Sequence, residues 1–544
     1  MVTTTHSNSY LPDDCWKCIF KFIIDEDDNN RRYLYPLSAV SKQFLSIIDP
    51  LRLSLTVLNP TRPLIRPLFK RFTNLTSLNL SRFHGDLNNL LRQISRFPSL
   101  NIKSLNISNK PTIPADGLRV FAQNITTLTS LTCSKIANFN TTDLFLIVEC
   151  FPLHEELDVS YPLYSQKYIL RYPLYGEKYI LYVEGVKALS LALIKLRKVN
   201  LSGFPINNQS LFHLLKNCKL LEEVIMFDCD QISREGIASA LRERPTLSSL
   251  SFSGSSSYGM PDITALCFIG FTASYFIGSL VSLKGLTCLS LRSLYILDEL
   301  LYSIAREGLP LTRLVLRKCT GYSYDGIFCL LSKGHGVQHL DLEDNMFLND
   351  QHVVQLYSFL GDLISINLSG CDKLTERALF TLVKNCHSLS EIKMEHIGSK
   401  SRGNSESLVD FGVYPQLKSL FLGRNSWLND ERIIMFASIF PNLQLLDLTS
   451  STQISEGICE VLRKCCKIKH LNLSGCYKVK LHSINFVVPK LEVLDLSGVG
   501  RYVTEKGMKH MVERCTQLRE INLGDLHLSD EKRKFFSRRG CLLC

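Results

Sequence analysis

Stretches of the form L-x-x-L-x-L begin at Leu75, Ile102, Leu128, Leu196, Leu221, Leu247, Leu286, Leu311, Val337, Leu363, Leu389, Leu417, Leu443, Ile468, Leu491 and Leu518, and His154 opens a degraded copy. Successive starts lie mostly 25 to 28 residues apart, and so regular a period restricts the fold more than any other feature of the chain. The unit from Leu363 to Leu389 shows why. Leu363, Ile366 and Leu368 share one face of a short strand, with Ser365, Asn367 and Ser369 on the other, because strand side chains alternate. After a turn at Gly370, Thr375 is placed to cap a helix in which Ala378, Leu379, Leu382 and Val383 recur at helical spacing, and Cys386 closes it. One strand and one helix cannot bury their own apolar faces, so each unit requires neighbours like itself.

The period falls within the range of leucine-rich repeats. Eight units would suffice for a barrel of alternating strands and helices, which excludes that architecture. The expectation is an α/β fold, a curved solenoid with parallel strands on the concave side and helices on the convex side. It spans residues 75–530 in about 17 repeats. Two spacings exceed the period. One contains YPLYSQKYIL followed at once by YPLYGEKYIL, which predicts an insertion near 161–185. The other has no charge between Ile263 and Leu283, long enough for a membrane span. A span there would put repeats of one solenoid on opposite sides of a bilayer, so an inserted convex helix is expected near 253–283 and no transmembrane segment.

The net charge is +11. It concentrates in Leu51–Lys103, with nine basic residues against Asp86, and in 531–544, with five against Glu531. These basic residues alternate with apolar repeat positions and lack an aromatic stacking array, so a solvated face is expected and not a nucleic-acid partner. MVTTTHSNSYLPDD has no basic start leading into an apolar run and so does not read as a secretory signal. Nineteen cysteines, an odd number, then argue for reduced thiols and a cytoplasmic or nuclear location. Cys218, Cys386, Cys465 and Cys515 recur three residues before strand starts, and Cys229, Cys319, Cys371 and Cys476 just after strands, as packing residues would.

Residues 8–50 depart from the period and read as a small domain of three short helices. Pro12, Asp13 and Asp14 suit a helix start, followed by an apolar face of Cys15, Ile19, Phe22 and Ile23. Leu34, Leu37, Val40, Phe44, Leu45 and Ile48 then recur at steps of three and four. Leu11-Pro12-Asp13-Asp14 with Ile19, then Leu37, Val40-Ser41-Lys42 and Phe44, resembles an F-box. The repeats resemble the cysteine-containing leucine-rich repeats that follow F-boxes, many of them from plants. Asp14 where glutamate is usual, Cys15-Trp16 where aliphatic residues are expected, and a longer acidic loop depart from the pattern. The resemblance implies a non-catalytic substrate receptor of a Skp1-cullin-F-box ubiquitin ligase. A Skp1-like adaptor and cullin complex would be its partners, and Leu11, Pro12, Ile19, Leu37, Val40 and Phe44 would face the adaptor or shape that face. Two alternatives stay open: a repeat scaffold or lipid-anchored binder whose N-terminal helices act only as a cap, and a small-molecule-dependent hormone receptor of the same family.

Residues 51–74, with Pro60, Pro63 and Pro67, read as a transition, and 531–544 as a basic tail. No phosphate loop, HExxH helix or nucleophile elbow occurs, and no cofactor is expected. The pairs Cys15/Cys18 and Cys541/Cys544 lie at opposite ends of the chain, too far apart to complete a four-ligand metal site. Cys541 also begins a C-a-a-X-like end and is a candidate for lipidation. On the concave face most repeats carry Asn or Asp at the Asn367 position and Ser two residues later. Ile225, Val315 and Phe421 break the first column, and Phe227, Arg292 and Arg317 the second. Exposed side chains of these kinds are what recognition sites use, so these six are the candidate substrate-binding residues.

Overall fold

The computed structural model describes the chain except residues 1–10, 27–36, 163–175, 255–273, 335, 399–411, 481–482, 485, 500–504, 525–535, 537–540 and 544. It divides into two compact units, Met1–Leu247 and Ser248–Cys544.

In the first unit, helices α1 (Asp13–Glu26) and α2 (Lys42–Ile48) precede seven strands. These are β1 (Ser54–Thr56), β2 (Ser77–Asn79), β3 (Ser104–Asn106), β4 (Ser130–Thr132), β5 (Glu156–Asp158), β6 (Lys198–Asn200) and β7 (Glu223–Met226). Each is parallel to the next. The second unit continues with β8 (Ser249–Ser253), β9 (Cys288–Arg292), β10 (Arg313–Arg317), β11 (His339–Asp341), β12 (Ser365–Asn367) and β13 (Glu391–Lys393). Then follow β14 (Ser419–Phe421), β15 (Leu445–Asp447), β16 (His470–Asn472), β17 (Val493–Asp495), β18 (Glu520–Asn522) and β19 (Leu542–Leu543), again all parallel. The register carries each repeat's central apolar residue onto the next, as in Leu340, Ile366, Ile392 and Leu420. Helices connect most strands, and both units are α/β leucine-rich-repeat solenoids. In the helix Glu376–Asn385 the N-cap hydroxyl of Thr375 accepts from Arg377 N–H at 3.2 Å, while Ala378, Leu379, Leu382 and Val383 are buried.

Every start read from the sequence leads into a strand, β2 to β18. The ends differ. Residues 51–74 already form a strand and a helix, because β1 pairs with β2 and Ile65–Arg71 is helical. Arg52 occupies the position where other repeats start with Leu, its guanidinium 5.3 Å from the Phe72 ring centre. Pro60 and Pro67 fall in the first turns of short helices, where proline's missing N–H is not needed. Within 531–544, Leu542–Leu543 adds a final strand beside β18. Of the insertion near 253–283, Ser274–Val281 is a helix; near 161–185, Gly176–Ala192 is helical. No helix among the described residues is long and apolar enough to cross a membrane. Of the three N-terminal helices expected, α1 and α2 are described, and the stretch between them lies largely outside the described residues.

The cysteines pack. Cys229, Cys319, Cys371 and Cys476 are buried, and their thiols donate to carbonyls of the preceding repeat: Leu201, Leu291, Leu342 and Leu448, at 3.2, 3.4, 3.5 and 3.0 Å. Burial pushes Cys229, Cys319 and Cys371 up to about 12 and Cys476 to about 11, which leaves them protonated and unreactive.

Candidate protein-interaction surfaces

The helix α1 is apolar on two sides. Inward, Phe20 is buried with Ile47, Ile48 and Leu51, and Trp16, Ile23, Leu37 and Phe44 pack against them. The rings of Trp16 and Phe44 are 4.7 Å apart and those of Phe20 and Phe44 5.0 Å. Ser41 caps α2 by accepting from Phe44 N–H at 3.0 Å, and Gln43 Nε2 donates to Asp13 Oδ1 at 2.7 Å, tying the helices together. Asp49 receives two bonds from Arg71, each 3.0 Å, which fasten the helical pair to the first repeat and raise the Arg71 guanidinium above its usual value.

Outward, Ile19 and Phe22 are 39% and 64% exposed, with Leu11 at 43% and Val40 at 65%. Pro12, Cys15 and Cys18 are exposed as well. Thus Leu11, Pro12, Ile19 and Val40 present themselves to solvent, whereas Leu37 and Phe44 form the support beneath. Of the face read as apolar from Cys15, Ile19, Phe22 and Ile23, the first three are open and Ile23 turns inward with Trp16 and Phe20 to hold the core. Periodicity alone could not choose between them, because both stripes are apolar at helical spacing. Phe22 belongs with the exposed set, and its four-residue phase with Cys18 and three-residue phase with Ile19 was the available signal.

The second surface is the strand face, where the polar columns have a structural job. In regular repeats the Asn or Asp carboxamide or carboxylate oxygen accepts the N–H two residues on, as from Ser81 to Asn79 at 3.0 Å, Ser369 to Asn367 at 3.1 Å and Ser497 to Asp495 at 2.8 Å. Neighbouring repeats are stitched laterally, with Asn472 Nδ2 donating to Asp447 at 2.7 Å and Asn522 to Asp495 at 2.8 Å. The bond closes a turn whose next residue takes a left-handed backbone, for example Gly370 at φ 74°. Ile225, Val315 and Phe421 cannot supply that acceptor, yet Asp228, Lys318 and Arg424 still adopt φ of 54°, 55° and 60°. These repeats lack that acceptor where the candidates sit; in the first of them the Phe227 N–H donates instead to Ser202 Oγ of the preceding repeat at 3.2 Å.

In the first unit, Ile225 and Phe227 are half-buried. In the second, Arg292 and Arg317 are paired in register, and Val315 is only 9% exposed. Val315 is thus packed and offers a partner little surface. Arg317 Nη2 lies 2.7 Å from Glu343, which also accepts from Asn367 Nδ2 at 3.0 Å. Lys393, not singled out from the sequence, stands in register between Asn367 and Phe421, with its ammonium 4.7 Å from the Phe421 ring centre and 3.3 Å from Glu391. It fills the same column as Phe421, so its departure from Asn was legible in the sequence. The row of Arg317, Glu343, Lys393 and Phe421 can recognise charged and aromatic groups; it contains no nucleophile and base arrangement.

Cys541 is buried, its N–H donating to Phe536 O at 3.0 Å. A thiol so placed is not presented to a modifying enzyme in the folded chain. Cys544 lies outside the described residues. Among the described residues no group of three or more His, Cys, Asp or Glu could hold a metal.

No family model matches the chain. It is 20% identical over 331 residues to Coronatine-insensitive protein 1 of Arabidopsis thaliana, covering 55% of this chain and 52% of that protein. It is 25% identical over 185 residues to the F-box protein FBW2 of the same plant, covering 34% and 51%. The chain spans about half the length of each. Among solved structures, a chain of the yeast Rad7 and Elc1 complex aligns over 98% of both chains at 15% identity, with a TM-score of 0.42.

Proposed function

We propose that this chain, a leucine-rich-repeat protein similar to plant F-box proteins, is the substrate-recognition subunit of a Skp1-cullin-F-box ubiquitin ligase, acting in the cytoplasm or nucleus. The observation that carries the reading is the open apolar face of α1, with Leu11, Ile19 and Phe22, and Val40 beyond it, set on a core of its own directly ahead of the repeats. Exposed leucine, isoleucine and phenylalanine in one patch mark a surface that is covered in use. A Skp1-type adaptor seated there would leave the repeats free to hold a target. The ligase then works by proximity, raising the effective concentration of target lysines near the conjugating enzyme. The chain itself supplies position and no bond-making group.

The test is binding of a purified Skp1-type adaptor to full-length protein carrying Ile19→Asp and Phe22→Asp. At least a hundredfold loss of affinity with an unchanged melting temperature is expected, since both side chains are exposed. Equal affinity for variant and wild type would sink the reading. A second reading, a small-molecule-dependent receptor, is favoured by the match to a protein named for insensitivity to coronatine. It differs in one measurement: the target would be captured only when the small molecule is present.

A further inference from the structure

Most cysteines of the repeats are buried; among the described residues Cys15, Cys18 and Cys466 are exposed. Cys466 has only the buried Cys465 beside it in the chain. Cys15 and Cys18 both lie in α1, three residues apart, and the first turn is formed around them, with the N–H groups of Cys15 and Trp16 donating to Pro12 O at 3.0 and 3.2 Å. Three residues of helix climb about 4.5 Å and return to within about 60° of the same side on a radius of about 2.3 Å, which puts the two Cα atoms about 5 Å apart. A disulfide closes over Cα separations of roughly 4.4–6.8 Å. The pair also belongs to the open stripe of α1. Cys15, Cys18, Ile19 and Phe22 follow the spacing i, i+3, i+4, i+7 and all are exposed, whereas Trp16, Phe20 and Ile23 turn inward. Closing a bridge there displaces no core side chain.

We propose that Cys15 and Cys18 form a thiol–disulfide exchange site whose substrates are low-molecular-weight disulfides, set within the surface that seats the adaptor. One cysteine, as thiolate, attacks a sulfur of the small disulfide, and half of that molecule leaves as a thiolate. The other cysteine then attacks the protein-side sulfur of the mixed disulfide and expels the second half. The two cysteines lose two protons and two electrons between them, and the small disulfide is reduced to two thiols. A bridge confined to one exposed helical turn is of the labile kind, which opens again wherever reduced glutathione prevails. Because the thiols share their stripe with Ile19 and Phe22, an adaptor seated on it covers them, and adaptor and oxidant exclude each other. That exclusion rests on the adaptor reading; the exchange chemistry stands without it.

The experiment incubates the full chain with glutathione disulfide near neutral pH, quenches it by alkylation and reads each cysteine by peptide mass spectrometry. Cys15 and Cys18 should be recovered joined to each other with two hydrogens lost, while Cys466, which has no exposed neighbour, carries one glutathione. Excess reduced glutathione should reopen the bridge. In Cys18→Ser the glutathione should stay on Cys15, and in Cys15→Ser on Cys18, because the resolving thiol is gone. A purified Skp1-type adaptor, present at about ten times its Kd, should slow the bridge by about tenfold. The proposal is overturned if wild-type Cys15 and Cys18 each keep a glutathione, if neither single variant takes one up, or if the bridge joins two chains, seen as a covalent dimer on a non-reducing gel. It is equally overturned if the adaptor binds at saturation and the bridge still forms at the unprotected rate. An adaptor that fails to bind the reduced chain would count against the adaptor reading alone, since the bridge is measured in its absence.

Discussion

His154 stands where other repeats begin with Leu or Ile, and its ring is fully buried 5.0 Å from the ring of Phe151, with neither nitrogen in hydrogen-bonding geometry. Burial lowers the imidazole to about 4, opposed only weakly by the Phe151 backbone. The unfolded chain, with the group near its ordinary 6.5, therefore binds more protons between these values. Stability attributable to the neutral ring is complete above pH 6.5 and is lost as the pH falls toward 4, by about 3 kcal/mol at most. Replacing His154 by Leu should stabilise the protein by about 1–3 kcal/mol near neutrality by removing unpaired buried polar atoms. Urea unfolding at pH 7.5 and pH 5 would check both, and the gain should be larger at pH 5. The strand face yields the opposite trade. Phe421→Asn should restore the turn bond to the residue two positions on, adding about 1 kcal/mol, while reducing target capture; a Phe421→Asn variant that binds its target as before would exclude Phe421 from recognition. Phe421 was readable as a departure from a column, but the reason it matters was not. Only the observed Asn367 to Ser369 bond shows that the column is structural and that leaving it has a cost.

Adjacent helices are joined by a repeated polar clasp. The carboxylate at the first position of one helix accepts both the N–H and hydroxyl of the cap residue in the next repeat: Asp298 from Ser323 at 2.8 and 2.6 Å, and Asp350 from Thr375 at 2.9 and 2.6 Å. Asp430 likewise accepts the N–H and hydroxyl of Ser455, one residue ahead of the next helix's cap position at Glu456. Thr375 was legible as a cap, but Asp350 as its partner was not, because that contact exists only once repeats stack. Asp350→Ala should cost about 1.5–3 kcal/mol, the range for bonds to a charged group. The clasp also explains Gly326, where a Cβ would collide with Asp298 Oδ1. Gly326→Val should destabilise by roughly 1–3 kcal/mol through overpacking, and combining it with Asp298→Ala should recover part of that loss in a double-mutant cycle. A helix of the same phase that lacked a clasp would tolerate both changes.

Among the described residues, the period identified every strand whose repeat begins with an apolar residue or His154, and missed the two whose repeats begin otherwise. In the repeat of β1 the starting position is Arg52, which lies against the Phe72 ring instead of filling a leucine site; in that of β19 it is Gly540, so neither carries the pattern. The latter matters for how the second unit is closed. A sheet edge left open is a template for pairing with other chains. Leu542–Leu543 takes up the outer edge of β18, Phe536 and Cys541 are buried, and Cys541 is near enough to help raise the Cys515 thiol, which burial itself brings to about 12. These residues act by covering that edge. Removing 536–544 should expose Glu520–Asn522 and produce concentration-dependent aggregation in sedimentation velocity runs. Cys541→Ala, which keeps the backbone of β19, should remain monodisperse and lose at most about 1–2 kcal/mol of stability. If the edge were harmless, truncated and full-length chains would sediment alike. If Cys541 served instead as a lipid attachment point, the alanine variant and the truncation, which both lack that thiol, would alike lose membrane partitioning relative to the full chain; with Cys541 buried, all three should partition alike.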